Sequence, residues 1–141
     1  MKLLLDTNIW VSALLYGGKP RKILTLAEDH NLTLITSTSI LQEIDRTLRK
    51  DKLQNRLNSL AKSVDDLMAM VIENSQIHET ITLPDIPNLR DQNDKIILAA
   101  ALTAQANIII TGDNDLLILK DYQDIPIMTA KTFLDQYFPE I

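Results

Sequence analysis

Two patterns of apolar residues alternate along the chain: short continuous runs, and longer segments in which apolar residues return every three or four positions. The short runs predict β-strands at Lys2–Asp6, Leu32–Thr36, Ile77–Thr80, Ile108–Thr111 and Pro126–Thr129. The longer segments have the spacing of helices that bury one face. Strands that alternate with helices are typical of an α/β domain, and we expect a mostly parallel central sheet.

The helical segments carry recognisable start signals. Pro20 suits the first turn of a helix, and Ser39 with Gln42 three residues later forms a capping box. Thr129 is a candidate cap of the last helix. The predicted helices are Asn8–Tyr16, a second near Pro20 that runs to about His30, Ser39 to about Lys50, Asp91–Ala106, and a last one that runs from Thr129 to about Phe138. The centre of the fourth is apolar on nearly all sides, as in helices buried against a sheet.

A further helical pair is predicted in the middle of the chain. Asp51–Ala61 and Val64–Glu73 both have helical apolar spacing, and Ser63 with Asp66 supplies the second with a cap. This pair has no evident catalytic residues, so a scaffold or dimerisation face is the better interpretation. We therefore expect a single domain over residues 1–141, with a helical hairpin insertion at about residues 51–75. The segment Leu83–Leu89, with two prolines, predicts a loop.

Composition narrows the class of protein. The 141 residues are enough for one domain with a full core, and the 45% hydrophobic and 23% charged residues are ordinary for a folded protein. The net charge of −5 argues against a passive nucleic-acid coat, which would normally be basic. It does not argue against a metal-dependent nuclease, because bound cations offset clustered acids.

The chain contains no cysteine, so disulfides and thiolate metal sites are excluded. Asp6 ends the first apolar run too soon for a secretion signal, and no later stretch is long enough to span a bilayer. We expect a cytoplasmic protein with no membrane partner.

Four acids stand where a parallel sheet gathers its ligands or in otherwise apolar helices. Asp6 and Asp113 each follow a predicted strand, and ligands collect at the carboxyl ends of parallel strands. Glu43 lies one turn into its helix beside apolar residues, and Asp94 lies in the first turn of the buried helix. All four point into one crevice if the strand order brings these segments together, which the sequence alone does not establish.

Such a cluster calls for a cation. Two bare carboxylates about 4 Å apart repel by about 4 kcal/mol at an effective dielectric of roughly 20. Oxygen-only ligands suit Mg²⁺ or Mn²⁺, which bind substrate phosphates. Taken singly, each acid is more simply a turn or helix-cap residue. Taken together, the four favour a metal site.

The acidic segments resemble the four motifs of PIN domains, in the same order and spacing over almost the whole chain. These segments are Asp6-Thr7-Asn8, Glu43, Asp94–Ala99 and Thr111–Leu117. The closing segment Ile127–Leu134 also resembles the end of the VapC-like subgroup, which comprises ribonuclease toxins of toxin–antitoxin pairs. PIN domains are Mg²⁺- or Mn²⁺-dependent ribonucleases on a small three-layer α/β/α sandwich, and the resemblance implies the same fold and activity here.

Carried over to this chain, the resemblance implies a catalytic, metal-ligating quartet of Asp6, Glu43, Asp94 and Asp113. It also implies auxiliary polar residues, which are Asn8, Thr111, Asp115 and Asp91. Asp91 lies one helical turn before Asp94 and competes for the third position of the quartet. Members of the subgroup often carry a double acid here, whereas this chain has Asn93 before Asp94. We favour Asp94 because it directly precedes the apolar helix.

The resemblance implies a metal-dependent endoribonuclease acting on RNA, with a small antitoxin as partner and a homodimer as a possible assembly. The alternative is a non-catalytic PIN-like module that binds a protein partner or RNA. A phosphate-transferring α/β domain fits poorly, because Asn8 replaces the second acid such phosphatases place two residues after the first, and no phosphate-binding Gly-rich loop is present.

A basic run follows Glu43 and is open to two interpretations. It consists of Arg46, Arg49, Lys50, Lys52 and Arg56. Such runs are more often the solvated face of a helix, but this one could also guide RNA toward the acids. Trp10, on the first predicted helix, is a core or interface residue rather than a platform for stacking bases.

Overall fold

The computed structural model describes residues 1–29, 31–79, 89 and 91–140 of the protein. Six strands are present within them: β1 Lys2–Leu5, β2 Thr33–Thr36, β3 Gln76–Ile77, β4 Ile108–Ile110, β5 Asp121–Tyr122 and β6 Ile125–Met128. The helices are α1 Thr7–Leu15, α2 Gly18–Asp29, α3 Thr38–Leu48, α4 Gln54–Leu60, α5 Val64–Glu73, α6 Gln92–Ala104, α7 Asn114–Leu117 and α8 Ala130–Tyr137. A 3₁₀ turn, Asp51–Leu53, precedes α4.

The strands form one sheet in the order β3-β2-β1-β4-β6-β5. Every pairing is parallel except that of β5 with β6 at one edge. In the centre, Leu4 lies opposite Ile35 of β2 and Ile109 of β4. The mostly parallel sheet expected from the sequence is confirmed, and β1 and β4 lie side by side although about a hundred residues separate them.

Both faces of this sheet are covered. Leu3, Leu4 and Leu5 are successive residues of β1 and none of them is exposed to solvent. Because successive strand residues point to opposite faces, helices must cover both. Helix α6 contacts β1 and β2, and α1 packs against α2 and α3. The three-layer α/β/α sandwich is therefore confirmed.

The long apolar helix is buried as expected. Six apolar residues of α6 are buried, and they are Ile97, Leu98, Ala99, Ala100, Ala101 and Ala104. Trp10 is also fully buried, in agreement with its interpretation as a core residue. The hydrophobic core therefore includes residues of α1 and α6 as well as residues of the strands.

One predicted cap is wrong and two are confirmed. The side chain that caps α3 is Ser37, whose Oγ accepts from the Ile40 amide at 3.2 Å, and not Ser39. Ser37 directly follows β2 and keeps extended backbone angles, which the capping position requires, whereas Ser39 already lies inside the helix. Ser63 and Asp66 form the predicted capping box of α5, and Thr129 caps α8.

The shortest elements differ most from prediction. Strand β3 has two residues and begins at Gln76, one residue before the predicted strand, of which Thr80 lies outside the described residues. The predicted loop 83–89 also lies outside them, apart from Leu89, as does His30. Helix α7 and strand β5 were not predicted, because four and two residues are too few to establish a periodicity.

The central helical pair is present as α4, with its preceding 3₁₀ turn, and α5. Ala61 ends α4 in the left-handed conformation, with φ of 54°, and its N–H donates to Asn58 O. The description of residues 51–75 as an insertion stays a prediction. Within the described part of the chain, none of the helices has the length and apolar character needed to cross a membrane.

Candidate metal centre

Asp6 occupies the junction between β1 and α1 and is held from two sides. Its N–H donates to Ile110 O at 3.1 Å, which extends the pairing of β1 with β4 by one residue. One carboxylate oxygen, Oδ1, caps α1 by accepting from the Ile9 amide at 2.8 Å. The other, Oδ2, accepts from the Thr111 hydroxyl. The carboxylate, only 5% exposed, is therefore fixed in orientation.

Thr111 joins the first acid to the last. It directly follows β4 and is fully buried. Its hydroxyl donates to Asp6 and accepts from the Asp113 amide at 3.0 Å. The parallel pairing of β1 with β4 thus brings Asp6 and Asp113 to the same edge of the sheet.

Asp113 and Asp115 begin the short helix α7. Asp113 is its cap and accepts from the Asp115 amide at 2.8 Å. Carboxylate oxygens of Asp113, Asp115 and Asp94 all lie within 4.8 Å of one another. The end of β4 and the start of α6 therefore place three acids within the span of one small cation.

Asp94 lies in the first turn of α6 and is 5% exposed. Its Oδ2 atom is buried and has no hydrogen-bond donor among the residues that the structure describes. Asp91, in contrast, is exposed and accepts from the Asn93 amide at 2.9 Å as the cap of α6. This geometry favours Asp94 over Asp91 as the third acid, because its buried oxygen still needs a partner.

The four acids of the predicted quartet line one cavity of about 90 Å³. Its lining residues are Asp6, Thr7, Asn8, Glu43, Asp91, Asn93, Asp94, Ile97 and Asp113. Two of the predicted auxiliary residues, Asn8 and Asp91, are among them, while Thr111 holds Asp6 and Asp115 neighbours Asp113. The structure thus brings together all eight residues predicted for the site. Their roles in binding and catalysis stay a prediction.

The sequence reasoning did not single out Thr7, Asn93 and Ile97 as lining residues. Their only signal is position, since Thr7 and Asn93 each adjoin a predicted acid. Ile97 lies one turn beyond Asp94 on α6 and gives the cavity an apolar wall.

The acids raise one another's proton affinity. Burial, followed by a hydrogen bond with Asp113 and the charges of Asp113, Asp91 and Asp115, raises the pKa of Asp94 to about 7. Burial also raises the pKa of Asp6, but the Thr111 hydroxyl and the Ile9 amide oppose that effect. Asp94 is thus partly protonated near neutral pH in the absence of a metal.

These residues fit a hard divalent cation. The side-chain ligands around the cavity, as far as the structure describes it, are oxygen and amide groups, with neither histidine nor cysteine. Carboxylate oxygens suit Mg²⁺ and Mn²⁺ rather than the softer metals. The unpaired Asp94 Oδ2 is the atom that a cation would satisfy.

A family model described as PIN domain matches residues 2–115. The chain belongs to the PIN domain family. The matched range contains all eight residues that the sequence singled out, from Asp6 to Asp115. In this PIN domain, the acids therefore all lie within the matched range and not in the segment that follows it.

Known proteins resemble the whole PIN domain. The uncharacterized protein MJ1680 of Methanocaldococcus jannaschii is 28% identical over 152 aligned residues, which cover 97% of this chain and 92% of that protein. VapBC2 from Rickettsia felis, solved bound to a DNA fragment from their promoter, has a TM-score of 0.62 at 15% identity and covers 90% of this chain and 97% of that one. VapBC-1 from nontypeable Haemophilus influenzae has a TM-score of 0.56 at 15% identity, with 93% and 99% covered. These two structures share its fold.

The basic run after Glu43 is mostly engaged in local contacts. Arg49 pairs with Asp45 and Asp65. Arg56 donates to Leu15 O at 2.7 Å and lies over the Tyr16 ring. Arg46 differs, because its Nη2 atom lies 2.8 Å from Oε2 of Glu43, an acid of the cavity. The solvated-face interpretation fits Arg49 and Arg56 better than an RNA path.

Proposed function

We propose that this PIN domain is a metal-dependent endoribonuclease that hydrolyses RNA phosphodiester bonds, and that it is the toxin of a toxin–antitoxin pair. One observation carries the proposal. Four carboxylates from four separate segments line one small cavity, and one of them has a buried oxygen with no donor in the described part of the chain. Burying several carboxylates together is strongly unfavourable without a cation, so a site that keeps them is best explained by its ligand.

In this proposal Asp6, Glu43, Asp94 and Asp113 hold Mg²⁺ or Mn²⁺. When bound, the metal supplies an activated water and stabilises charge on the phosphate. The chain's own contribution is orientation. The Thr111 hydroxyl and the α1 amides hold Asp6 in one position, and Asp91 and Asp115 add negative charge beside Asp94.

The same acids explain why RNA would bind only with the metal. Six carboxylates lie in or beside the cavity, those of Asp6, Glu43, Asp91, Asp94, Asp113 and Asp115. They repel a phosphodiester until cations reverse the local charge. Substrate binding and metal binding are therefore expected to be coupled, and EDTA should abolish both.

An antitoxin partner fits the same charge. A small protein that inserts an Arg side chain between the carboxylates would form charge-assisted hydrogen bonds and exclude the metal. The likeness to the two VapBC structures supports such a partner. A homodimer and a cytoplasmic location are parts of the same proposal.

The test is cleavage of structured and single-stranded RNAs by purified protein with Mn²⁺, with Mg²⁺ and with EDTA. We expect metal-dependent cutting by the wild type and a loss of at least about a hundredfold in Asp6→Asn and Asp94→Asn. Asp65→Asn is the matched control, because this carboxylate is 91% exposed on α5 and does not line the cavity. An Asp6→Asn protein as active as the wild type would refute the assignment.

A non-catalytic module that binds a protein or RNA is the second candidate. It is favoured by the net charge of −5 and by Asn93, a neutral amide at the wall of the cavity. Calorimetry with Mn²⁺ distinguishes the two, since a module without catalysis need not bind metal at these acids. A protein that neither binds metal nor cuts RNA would support this candidate.

A further inference from the structure

Arg46 is paired with an acid of the cavity. Its Nη2 atom lies 2.8 Å from Oε2 of Glu43, one turn earlier on α3. The Glu43 side chain is 20% exposed and that of Arg46 is 67% exposed. The carboxylate therefore belongs to the cavity wall and the guanidinium to its rim. The other ion pairs within the described residues lie away from the cavity: Arg49 with Asp45 and Asp65, and Lys131 with Asp135.

This pairing places Arg46 in competition with a metal. The guanidinium occupies a lone pair of Glu43 that a cation would use. A divalent ion at the same carboxylate would also be repelled by the positive charge about one side-chain width away. Coordination through both oxygens of Glu43 therefore requires Arg46 to leave Oε2, and coordination through Oε1 alone is opposed by the nearby positive charge.

Arg46 is free to leave without disturbing the core. Most of its side chain is in solvent. Arg46 also lines the groove between α3 and α5, together with Leu41 and Met68. Its guanidinium therefore lies between that groove and the acidic cavity that Glu43 lines. A planar guanidinium matches a phosphate with two parallel hydrogen bonds.

We propose that Arg46 has two successive partners: Glu43 in the metal-free protein, and a backbone phosphate of RNA once a divalent cation has taken Glu43. The inference rests on the proposed function, since it assumes that the cavity binds metal and RNA. Without metal, Arg46 then offsets the negative charge of Glu43, and once metal is bound it contacts an RNA phosphate. Metal binding and RNA binding therefore use the same side chain one after the other.

The first half is tested by titrating Mn²⁺ into metal-free protein in a calorimeter, without RNA. Arg46→Met should bind Mn²⁺ about three- to tenfold more tightly than the wild type, because the competing charge is gone. Arg46→Lys, which keeps a charge able to pair with Glu43, should bind nearly as the wild type does. Arg49→Met is the matched control, with the same change on the same helix but away from the cavity.

The second half is tested by cleavage kinetics at saturating Mn²⁺. Arg46→Met should raise KM about tenfold with a smaller change in kcat, because a ground-state phosphate contact is lost. The dependence of RNA affinity on salt should also fall by about one unit of slope. Arg49→Met should leave both quantities at the wild-type values.

The outcomes separate this inference from the proposed function. A wild type that binds no Mn²⁺ overturns both. A wild type that binds and cuts, with Arg46→Met at the same Mn²⁺ affinity, overturns the first partner alone. Tighter Mn²⁺ binding with unchanged KM and salt slope overturns the second partner.

Discussion

Asp6 and Asp94 are buried to the same extent, 5% exposed each, but the protein treats the two carboxylates differently. Both oxygens of Asp6 accept hydrogen bonds, from the Ile9 amide and the Thr111 hydroxyl. Oδ2 of Asp94 accepts none from any described residue, and three acids raise the pKa of Asp94 further. Asp6 is therefore held in place by the fold itself, whereas Asp94 is stabilised only when a proton or a metal joins it.

This difference assigns two tasks to the two sides of the cavity. The β1–β4 edge fixes the geometry before any ligand arrives, as preorganised sites require. The start of α6 carries the unfavourable charge, which would supply the drive for the proposed cation binding. The same burial thus accompanies a fixed geometry at one carboxylate and an uncompensated charge at the other.

The largest expected effect on stability concerns Thr111, at the β1–β4 edge that holds Asp6. Thr111→Val keeps the shape of the side chain but removes the donor to Asp6 and the acceptor for the Asp113 amide. We expect a loss of about 2–4 kcal/mol in the free energy of unfolding, since two buried groups lose their partner. Urea denaturation measures it.

Thr25→Val is the control for Thr111→Val, because Thr25 is an exposed helical threonine whose hydroxyl bonds only its own helix. It should change stability by less than about 0.5 kcal/mol. If Thr111→Val were no more destabilising than this control, Asp6 would not be held as the structure indicates.

At Asp94, on the other side of the cavity, we expect a substitution that stabilises the protein. In EDTA at about pH 8, Asp94→Asn should stabilise the protein by roughly 1–3 kcal/mol, because it removes a buried charge that lacks a donor. The same change should remove the stabilisation that Mn²⁺ gives the wild type. Thermal unfolding with and without Mn²⁺ measures both. Asp94→Asn protein that unfolds more easily in EDTA would contradict the comparison.

The pH dependence follows from the raised pKa of Asp94, about 7 when folded against an ordinary value of 3.8. A carboxyl whose pKa is raised by folding favours the folded state when protonated, and this contribution is lost as pH rises through the folded pKa. In EDTA, the stability of the wild type relative to Asp94→Asn should fall between about pH 4 and pH 7. A difference that is flat over this range would show that Asp94 has an ordinary pKa.

The smallest expected effect tests whether Asp91 helps to raise the pKa of Asp94. Asp91→Asn keeps a side-chain oxygen to cap α6 but removes one of the charges that raise the pKa of Asp94. Stability in EDTA near neutral pH should rise by about 0.5 kcal/mol. Because the folded pKa of Asp94 would be lower in the variant, the fall of stability with rising pH should also end at a lower pH. An unchanged pH profile would mean that Asp91 does not act on Asp94.

Much of the site was predictable because its acids follow strong local patterns. Asp6 and Asp113 come directly after continuous apolar runs, and such runs end at the carboxyl edge of a parallel sheet. Asp94 begins a helix that is apolar on nearly all sides. Local sequence therefore located each acid along the chain without giving the distance between any two of them.

What could not be predicted depends on contacts between distant segments. The pairing of β1 with β4 places Thr111 beside Asp6, although the two are 105 positions apart in the sequence. The unpaired oxygen of Asp94 and the choice between Asp94 and Asp91 also emerge only when α6 meets α7. Local features failed at the start of α3, where Ser37 and not the predicted Ser39 is the cap, since the cap is decided by where β2 ends.

The most direct test of a carboxylate metal centre is a calorimetric titration of Mn²⁺ into metal-free wild type, Asp94→Asn and Asp65→Asn. The account predicts saturable binding by the wild type and Asp65→Asn, and at least about a tenfold loss of affinity in Asp94→Asn. Equal affinity in all three proteins, or no binding by the wild type, would contradict it.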